Sequence, residues 1–156
     1  MRIGILIFTF LFISCEAQTK AKVIGVKDGD SIEVLLEGNK NIVIRLAEID
    51  CPEKNQPYGK KAKSFVSDLI FGKEITFVKT DQDRYGRTIA KVYFNGAYLS
   101  ETLIKNGLAW HNTKYSKSKY LASLEKDARK NKIGLWADPN PIAPWEWRKQ
   151  KKTSKK

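Results

Sequence analysis

The chain has 156 residues, a length that suits one domain and leaves no room for a second full catalytic domain. Hydrophobic residues make up 42% of it, which excludes wholesale disorder. Its 29 Lys and Arg against 17 Asp and Glu give a net charge of +12, which predicts attraction to nucleic acid or to an anionic membrane surface. The charge by itself says nothing about catalysis.

The first 17 residues predict an export signal. Arg2 supplies the positive start, and the apolar run that follows is too short to span a bilayer core of about 30 Å. Two endings of the leader stay open. A signal peptide of residues 1–17 would be cleaved after Ala17, whereas a lipoprotein signal of residues 1–14 would leave a lipid on Cys15. Both predict an exported protein, either secreted or held in the cell envelope.

Five segments predict β-strands because they are rich in β-branched residues or alternate apolar with polar residues. They are Val23 to Val26, Ile32 to Leu36, Ile42 to Leu46, Ile75 to Val78 and Ile89 to Phe94. Asp28-Gly29-Asp30 predicts a turn after the first strand, and Asn95-Gly96 predicts a hairpin turn after the fifth. Arg45 lies between two apolar residues of the third strand, so we expect its side chain to face away from theirs.

Three segments predict α-helices because their apolar residues recur at helical spacing. They are Ala62 to Ile70, Leu99 to Leu108 and Leu121 to Ala128. Ser118 offers an N-cap for the third helix, and Gly72 and Gly134 offer helix stops. Five short strands with a helix inserted after the third suit an α+β fold, a five-stranded OB-type β-barrel with three α-helices.

The end of the chain predicts irregular structure. Three prolines between Asp138 and Trp147 argue against a helix there, and we expect the tryptophans of this stretch to pack against the domain. Residues 148–156 are mostly basic and predict a disordered tail. Such a tail either keeps the protein in solution or adds a weak, non-specific grip on phosphates or anionic lipid.

Three segments combine the residue types that hydrolysis of a phosphodiester needs. They are Asp28-Gly29-Asp30-Ser31, Arg45 to Glu53 and Asp83-Arg84-Tyr85-Gly86-Arg87. Together they supply oxygen ligands for a hard cation, a base for water, and guanidinium groups for the charge that grows on phosphorus. His111 is the only histidine, which excludes a two-histidine ribonuclease mechanism and disfavours a zinc site. Carboxylate ligands favour Ca²⁺ or Mg²⁺ over softer metals.

These segments, in this order, resemble the staphylococcal nuclease (thermonuclease) family. The patterns are Asp-Gly-Asp-Ser, then Arg-x₄-Asp-x-Pro-Glu, then Asp-Arg-Tyr-Gly-Arg, supported by Asn106-Gly107-Leu108-Ala109 and Gly134-Leu135-Trp136. The similarity spans residues 21–147, which we take as the domain. It implies a calcium-dependent endonuclease that hydrolyses phosphodiester bonds of DNA and RNA and leaves 3′-phosphate ends.

The resemblance also implies the metal ligands and the base. Asp30 and Asp50 would hold Ca²⁺ through their carboxylates, and Cys51 would add its backbone carbonyl. Glu53 would be the general base that takes a proton from the attacking water. Cys51 stands where the family typically has Thr, a change that keeps the carbonyl.

The remaining site residues implied by the resemblance contact the substrate. Arg45 and Arg87 would bind the scissile phosphate and stabilise the charge of its transition state, because the planar guanidinium meets two phosphate oxygens at once. Tyr85 and Tyr115 would flank the nucleotide, where stacking tolerates any base. Thr113 replaces a tyrosine that the family typically places close to the substrate.

Two other functions compete with a nuclease. A binding module would grip nucleic acid without cutting it, but inactive members of this superfamily typically lack the acidic and arginine residues that this chain keeps. A basic envelope protein would bind anionic lipid or polysaccharide through its tail. For the nuclease we expect DNA and RNA as substrates, a monomer, no obligate protein partner, and membrane anchoring only through a lipid on Cys15.

Overall fold

A computed structural model describes residues 18–153, so the predicted leader, residues 1–17, lies outside the described part of the chain. In chain order the elements are β1 (Thr19–Val26), β2 (Ser31–Leu36), β3 (Lys40–Leu46), β4 (Ile49–Asp50), α1 (Gly59–Ile70), β5 (Glu74–Gln82), β6 (Thr88–Phe94), β7 (Ala97–Tyr98), α2 (Leu99–Lys105), β8 (Trp110–His111), α3 (Lys119–Lys130) and α4 (Pro144–Thr153).

The five long strands form a closed barrel. Their order is β3-β2-β1-β5-β6, with antiparallel neighbours, and β3 pairs with β6 in parallel to close the circle. The inward side chains, which include Val23, Ile32, Ile44 and Val92, are completely buried. All five predicted strands are present, so the predicted OB-type barrel is confirmed.

The three predicted helices are also present: α1 and α2 pack on the barrel, and α3 packs on α2. Helix α1 turns its buried face, Ala62, Val66 and Ile70, into the core that the barrel residues form. Ser118 caps α3 as predicted, because its side chain accepts a hydrogen bond from the Leu121 amide at 3.2 Å. Across residues 18–153, we find no helix with the length and apolar character needed to cross a membrane.

The prediction for the end of the chain is wrong in one respect. The sequence predicted irregular structure to Trp147 and a disordered tail over residues 148–156, but Pro144 to Thr153 form a fourth helix, α4. Pro144 is the first residue of α4, where the missing amide N–H would have had no helical partner and the fixed φ suits a helix start. Trp145 packs on Trp110 with their ring centroids 5.5 Å apart, as expected for the tryptophans of this stretch.

The turn between β1 and β2 packs directly on the start of α1 and on the segment after β4. A Cβ atom on Gly29 would lie 2.8 Å from the Cβ of Ala62 and 2.9 Å from that of Cys51. Both neighbours are buried, at 0% and 4% exposure, and neither has room to retreat. Glycine is therefore required here for close approach of three segments.

We predict that Gly29→Ala lowers the free energy of unfolding by about 1–3 kcal/mol, because the extra methyl group overpacks this junction. Urea denaturation followed by tryptophan fluorescence measures the loss. Gly25→Ala is the matched control, since its Cβ would meet only the side chain of Glu33, at 3.3 Å. Equal stability of the two variants would contradict the packing argument.

Candidate active site

Strand register gathers the predicted site residues at one end of the barrel. Ser31 at the start of β2 pairs with Arg45 of β3, and Arg45 in turn pairs with Ile89 of β6. Asp30 immediately precedes β2, and Arg87 immediately precedes β6. The parallel closure between β3 and β6 thus brings together segments that are more than 40 residues apart in the chain.

Arg45 lies between the two carboxylates that were predicted as metal ligands. Its Nη1 atom forms a short ion pair with Asp30, and its Nη2 atom lies 2.8 Å from Asp50. The Arg45 side chain is 17% exposed, and the carboxylate side chains are 7% and 2% exposed. Burial opposes a charge on Arg45, but the two carboxylates outweigh it and hold its pKa above the usual value.

The two aspartates differ in their surroundings. Burial raises the pKa of Asp50 above its usual value, although hydrogen bonds and charges from arginines partly oppose this. Burial acts the same way on Asp30, but Arg45 and the backbone amide of Cys51, which donates to Asp30 at 2.8 Å, overcome it and lower its pKa. The neighbouring Asp28 is affected by this charge, because burial and the negative charge of Asp30 raise the pKa of Asp28 to about 6.

Arg87 joins the same hydrogen-bond network through Ser31. Its Nη1 atom donates to the Ser31 hydroxyl at 3.3 Å, and that hydroxyl donates to Asp30 at 3.2 Å. Asp83 orients Arg87 by accepting from its Nε at 2.7 Å and from its backbone amide at 3.0 Å. The Asp83-to-Arg87 turn therefore works as a unit that aims one guanidinium at the site.

Glu53 stands at the edge of the site and is held by residues from the other end of the chain. Its Oε1 atom accepts from Nη1 of Arg148 at 2.6 Å, and Nη2 of Arg148 donates to Asp50 at 2.6 Å. The Glu53 side chain is 40% exposed, so water can reach it. All five predicted catalytic and aspartate residues, together with Arg148, belong to one connected network.

The predicted ligand atoms at this end of the barrel are of the chemical type that binds a hard dication. The ligands predicted from sequence, two carboxylates and the Cys51 carbonyl, are all oxygens, which Ca²⁺ and Mg²⁺ prefer. Asp30 and Asp50 are almost completely buried, and burial raises the pKa of Asp50 above its usual value. Residues 18–153 contain no group of three or more metal-binding side chains, so waters and phosphate oxygens would have to complete the coordination.

The two tyrosines predicted to contact substrate lie on the surface, at 70% exposure for Tyr85 and 74% for Tyr115. A cation lies over each ring, since Arg84 is 4.9 Å from the Tyr85 ring centroid and Lys114 is 5.2 Å from that of Tyr115. Cys51 has the opposite character, since its side chain is buried and burial raises the pKa of its thiol well above the usual value. His111 is buried in β8, which agrees with a structural position.

An open groove of about 730 Å³ follows Glu53 along the start of α1. Lys54, Lys60 and Lys61 contribute to its lining, so its walls carry positive charge. A groove of this sign attracts polyanions such as a phosphate backbone.

Sequence reasoning missed two residues that shape the site. Arg148 was assigned to a disordered tail because residues 148–156 are mostly basic. No role was predicted for Gln56. In the structure Gln56 is 7% exposed, accepts from the Glu53 amide at 3.0 Å and donates to the Ile142 carbonyl at 2.6 Å. No local pattern distinguishes either residue, because their partners lie up to 98 positions away.

Comparisons of the sequence with known proteins identify the family of the chain. The model of the family described as Staphylococcal nuclease homologue matches residues 43–138. An uncharacterized endonuclease of Haemophilus influenzae is 40% identical over 148 residues, which cover 95% of this chain and 83% of that protein. A micrococcal nuclease of Shigella flexneri is 35% identical over 88% of this chain and 85% of its own.

A plant protein, the staphylococcal-like nuclease CAN1 of Arabidopsis thaliana, is 44% identical over 72% of this chain but only 35% of its own length. The match therefore covers the shared barrel and not the rest of that protein. The family model spans more than half of the 156 residues, and the bacterial relatives align almost end to end. On these grounds the chain belongs to the staphylococcal nuclease family.

Proposed function

We propose that the protein is a calcium-dependent endonuclease that hydrolyses the phosphodiester bonds of DNA and RNA and leaves 3′-phosphate ends. The observation that carries the proposal is the single network that holds Asp30, Arg45 and Asp50 together with Glu53 and Arg87. A module that only bound nucleic acid would have no need for buried carboxylates, which repel phosphate and cost free energy to bury. The names of the relatives, which include endonuclease and micrococcal nuclease, support the same activity.

In this proposal each residue acts on the phosphodiester or on water. Arg45 and Arg87 bind the non-bridging oxygens of the scissile phosphate and stabilise the charge that grows there. Glu53, exposed at the edge of the site, takes a proton from the water that attacks phosphorus. Asp30, Asp50 and the Cys51 carbonyl would hold Ca²⁺, which would supply positive charge to the site when bound. Tyr85 and Tyr115 stack on bases without choosing among them, which permits both DNA and RNA as substrates.

We predict that the protein beginning at Gln18 cuts single-stranded DNA in Ca²⁺ but not in a chelator, and that Glu53→Gln lowers kcat by about 10²–10⁴ because the general base is lost. Gel electrophoresis of a labelled oligonucleotide measures the rates. Glu74→Gln removes a carboxylate that is exposed at the start of β5 and should cut at the normal rate. Binding without cutting under any divalent metal would instead support the binding module.

We predict that the products carry a 3′-phosphate and a 5′-hydroxyl, because attack in line on phosphorus expels the 5′-oxygen. Polynucleotide kinase should then label the new 5′ ends without prior phosphatase treatment. A nuclease that leaves 5′-phosphates serves as the control, since its products need the phosphatase first. Products that the kinase labels only after phosphatase would reverse the proposed direction of bond cleavage.

We also infer that the protein acts outside the cytoplasm, from the leader predicted over residues 1–17. Expression of the full chain in a bacterial host and mass spectrometry of the purified product should find either Gln18 as the first residue or a lipid on Cys15. Cys15→Ser distinguishes the two, because it abolishes lipidation and leaves cleavage after Ala17 intact. A product that still begins at Met1 would contradict export through this leader.

A further inference from the structure

Arg148 is the side chain of α4 that reaches the candidate active site. It donates from Nη1 to Asp50 at 3.3 Å and to Glu53 at 2.6 Å, and from Nη2 to the other oxygen of Asp50 at 2.6 Å. One guanidinium therefore bridges the predicted general base and a predicted metal ligand. The hydrogen bonds to Asp50 and Glu53 raise the pKa of Arg148 above its usual value, so it remains charged there.

Apolar packing that does not involve Arg148 fixes the position of α4. Ala143 is 3% exposed and belongs to a cluster with Trp110, Leu135 and Trp136, against which Trp145 also packs. This apolar anchoring holds the start of α4 within five residues of Arg148. The guanidinium is thus presented to the site by a folded element and not by a mobile tail.

Gln56 couples this anchor to the general base. Its side chain accepts from the backbone amide of Glu53 and donates to the carbonyl of Ile142, two residues before α4 begins. The loop that carries Glu53 and the segment that carries Arg148 are therefore held by the same buried amide group. Their separation is fixed by the fold, which is the condition for two side chains to act on one substrate.

The chemistry of the contact indicates what Arg148 does when substrate is bound. Its contacts to Asp50 and Glu53 engage Nη1 and Nη2, and a guanidinium presents five N–H donors, so donors remain for a phosphate oxygen. The side chain is 44% exposed, which leaves it accessible to a ligand from solution. A dication on Asp50 would repel the guanidinium of Arg148, and the negative charge of a bound phosphodiester would attract both cations and offset that repulsion.

We propose that Arg148 is a third substrate-binding arginine of this site, which contacts a phosphate of the nucleic acid beside Glu53. Since Arg148 also pairs with Asp50, it competes with Ca²⁺ for that carboxylate until a phosphate binds it. Arg148 thereby makes the binding of Ca²⁺ and of nucleic acid cooperative. The proposal rests on the nuclease function proposed above and adds a residue and a coupling to it.

The test compares Arg148→Gln and Arg148→Lys with Lys149→Gln, each in the chain that begins at Gln18. Lys149 is exposed on the same helix, so its variant loses the same charge without touching the carboxylates. At saturating Ca²⁺, kcat/KM of Arg148→Gln on single-stranded DNA should fall about 10²-fold, as for the loss of one preorganised donor. Arg148→Lys should recover part of the loss, and Lys149→Gln should stay close to wild type.

Two binding measurements separate a substrate contact from a structural role. The slope of log K for DNA binding against log salt should become shallower by about 0.7 in Arg148→Gln, the value for one phosphate contact on a single strand. In calorimetry without DNA, Ca²⁺ should bind Arg148→Gln roughly 5-fold or more tightly than wild type, a typical coupling. Asp50 keeps its ion pair with Arg45 in both Arg148 variants, so both should still unfold cooperatively, with at most a modest fall in the unfolding temperature.

Three results would overturn the inference. Equal losses in Arg148→Gln and Lys149→Gln would mean that only bulk charge matters. If Arg148→Gln had the same salt slope and the same Ca²⁺ affinity as wild type, the arginine would contact neither phosphate nor the metal site. The nuclease function would still hold in that case, provided that the wild-type protein cuts DNA. A wild-type protein that never cuts would contradict both the proposed function and this inference.

Discussion

The pairing of Arg45 with Asp30 and Asp50 is the interaction on which the rest of the site depends. The three side chains come from the turn before β2, from β3 and from β4, and the antiparallel pairing of β2 with β3 brings them together. Carboxylates this deeply buried are costly unless they are paired, and removing one partner of such a group typically costs about 3–5 kcal/mol. The site is therefore a part of the folded core, and its geometry is as rigid as the strands that carry it.

Around this buried centre the structure arranges groups of increasing exposure. Arg87 is 32% exposed at its side chain, Glu53 is 40% exposed, and Tyr85 and Tyr115 are more exposed still. The order suits the proposed roles, since residues that would hold a metal must be fixed whereas those that would meet water and bases must be reachable. Two of the exposed residues are held by a neighbour: Asp83 accepts from the Arg87 side chain, and Gln56 accepts from the backbone amide of Glu53.

Much of this could be predicted from the sequence, for reasons that are local. Strands such as Ile42 to Leu46 reveal themselves because side chains alternate between the core and solvent, and Arg45 falls on the outward face between buried Ile44 and Leu46. The α3 cap at Ser118 is equally local. The site residues could be named because three motifs, in their order along the chain, resemble those of the staphylococcal nuclease family, and their individual roles stay predictions.

The parts that escaped prediction depend on contacts between distant residues. Strands β4, β7 and β8 are two residues long, too short to show any periodicity. Helix α4 was hidden because proline usually interrupts a helix, whereas Pro144 begins one. The contact of Arg148 with Asp50 spans 98 positions, and neither residue carries a local sign of the other.

The buried thiol of Cys51 has a consequence for how the closed site can be observed. Sulfur reacts as the thiolate, and burial keeps this group protonated and shielded behind Gly29 and α1. Cys51 has no disulfide partner among residues 18–153. A thiol reagent reaches a buried thiol only when the segments that cover it separate, so the rate of alkylation measures how often this end of the barrel opens.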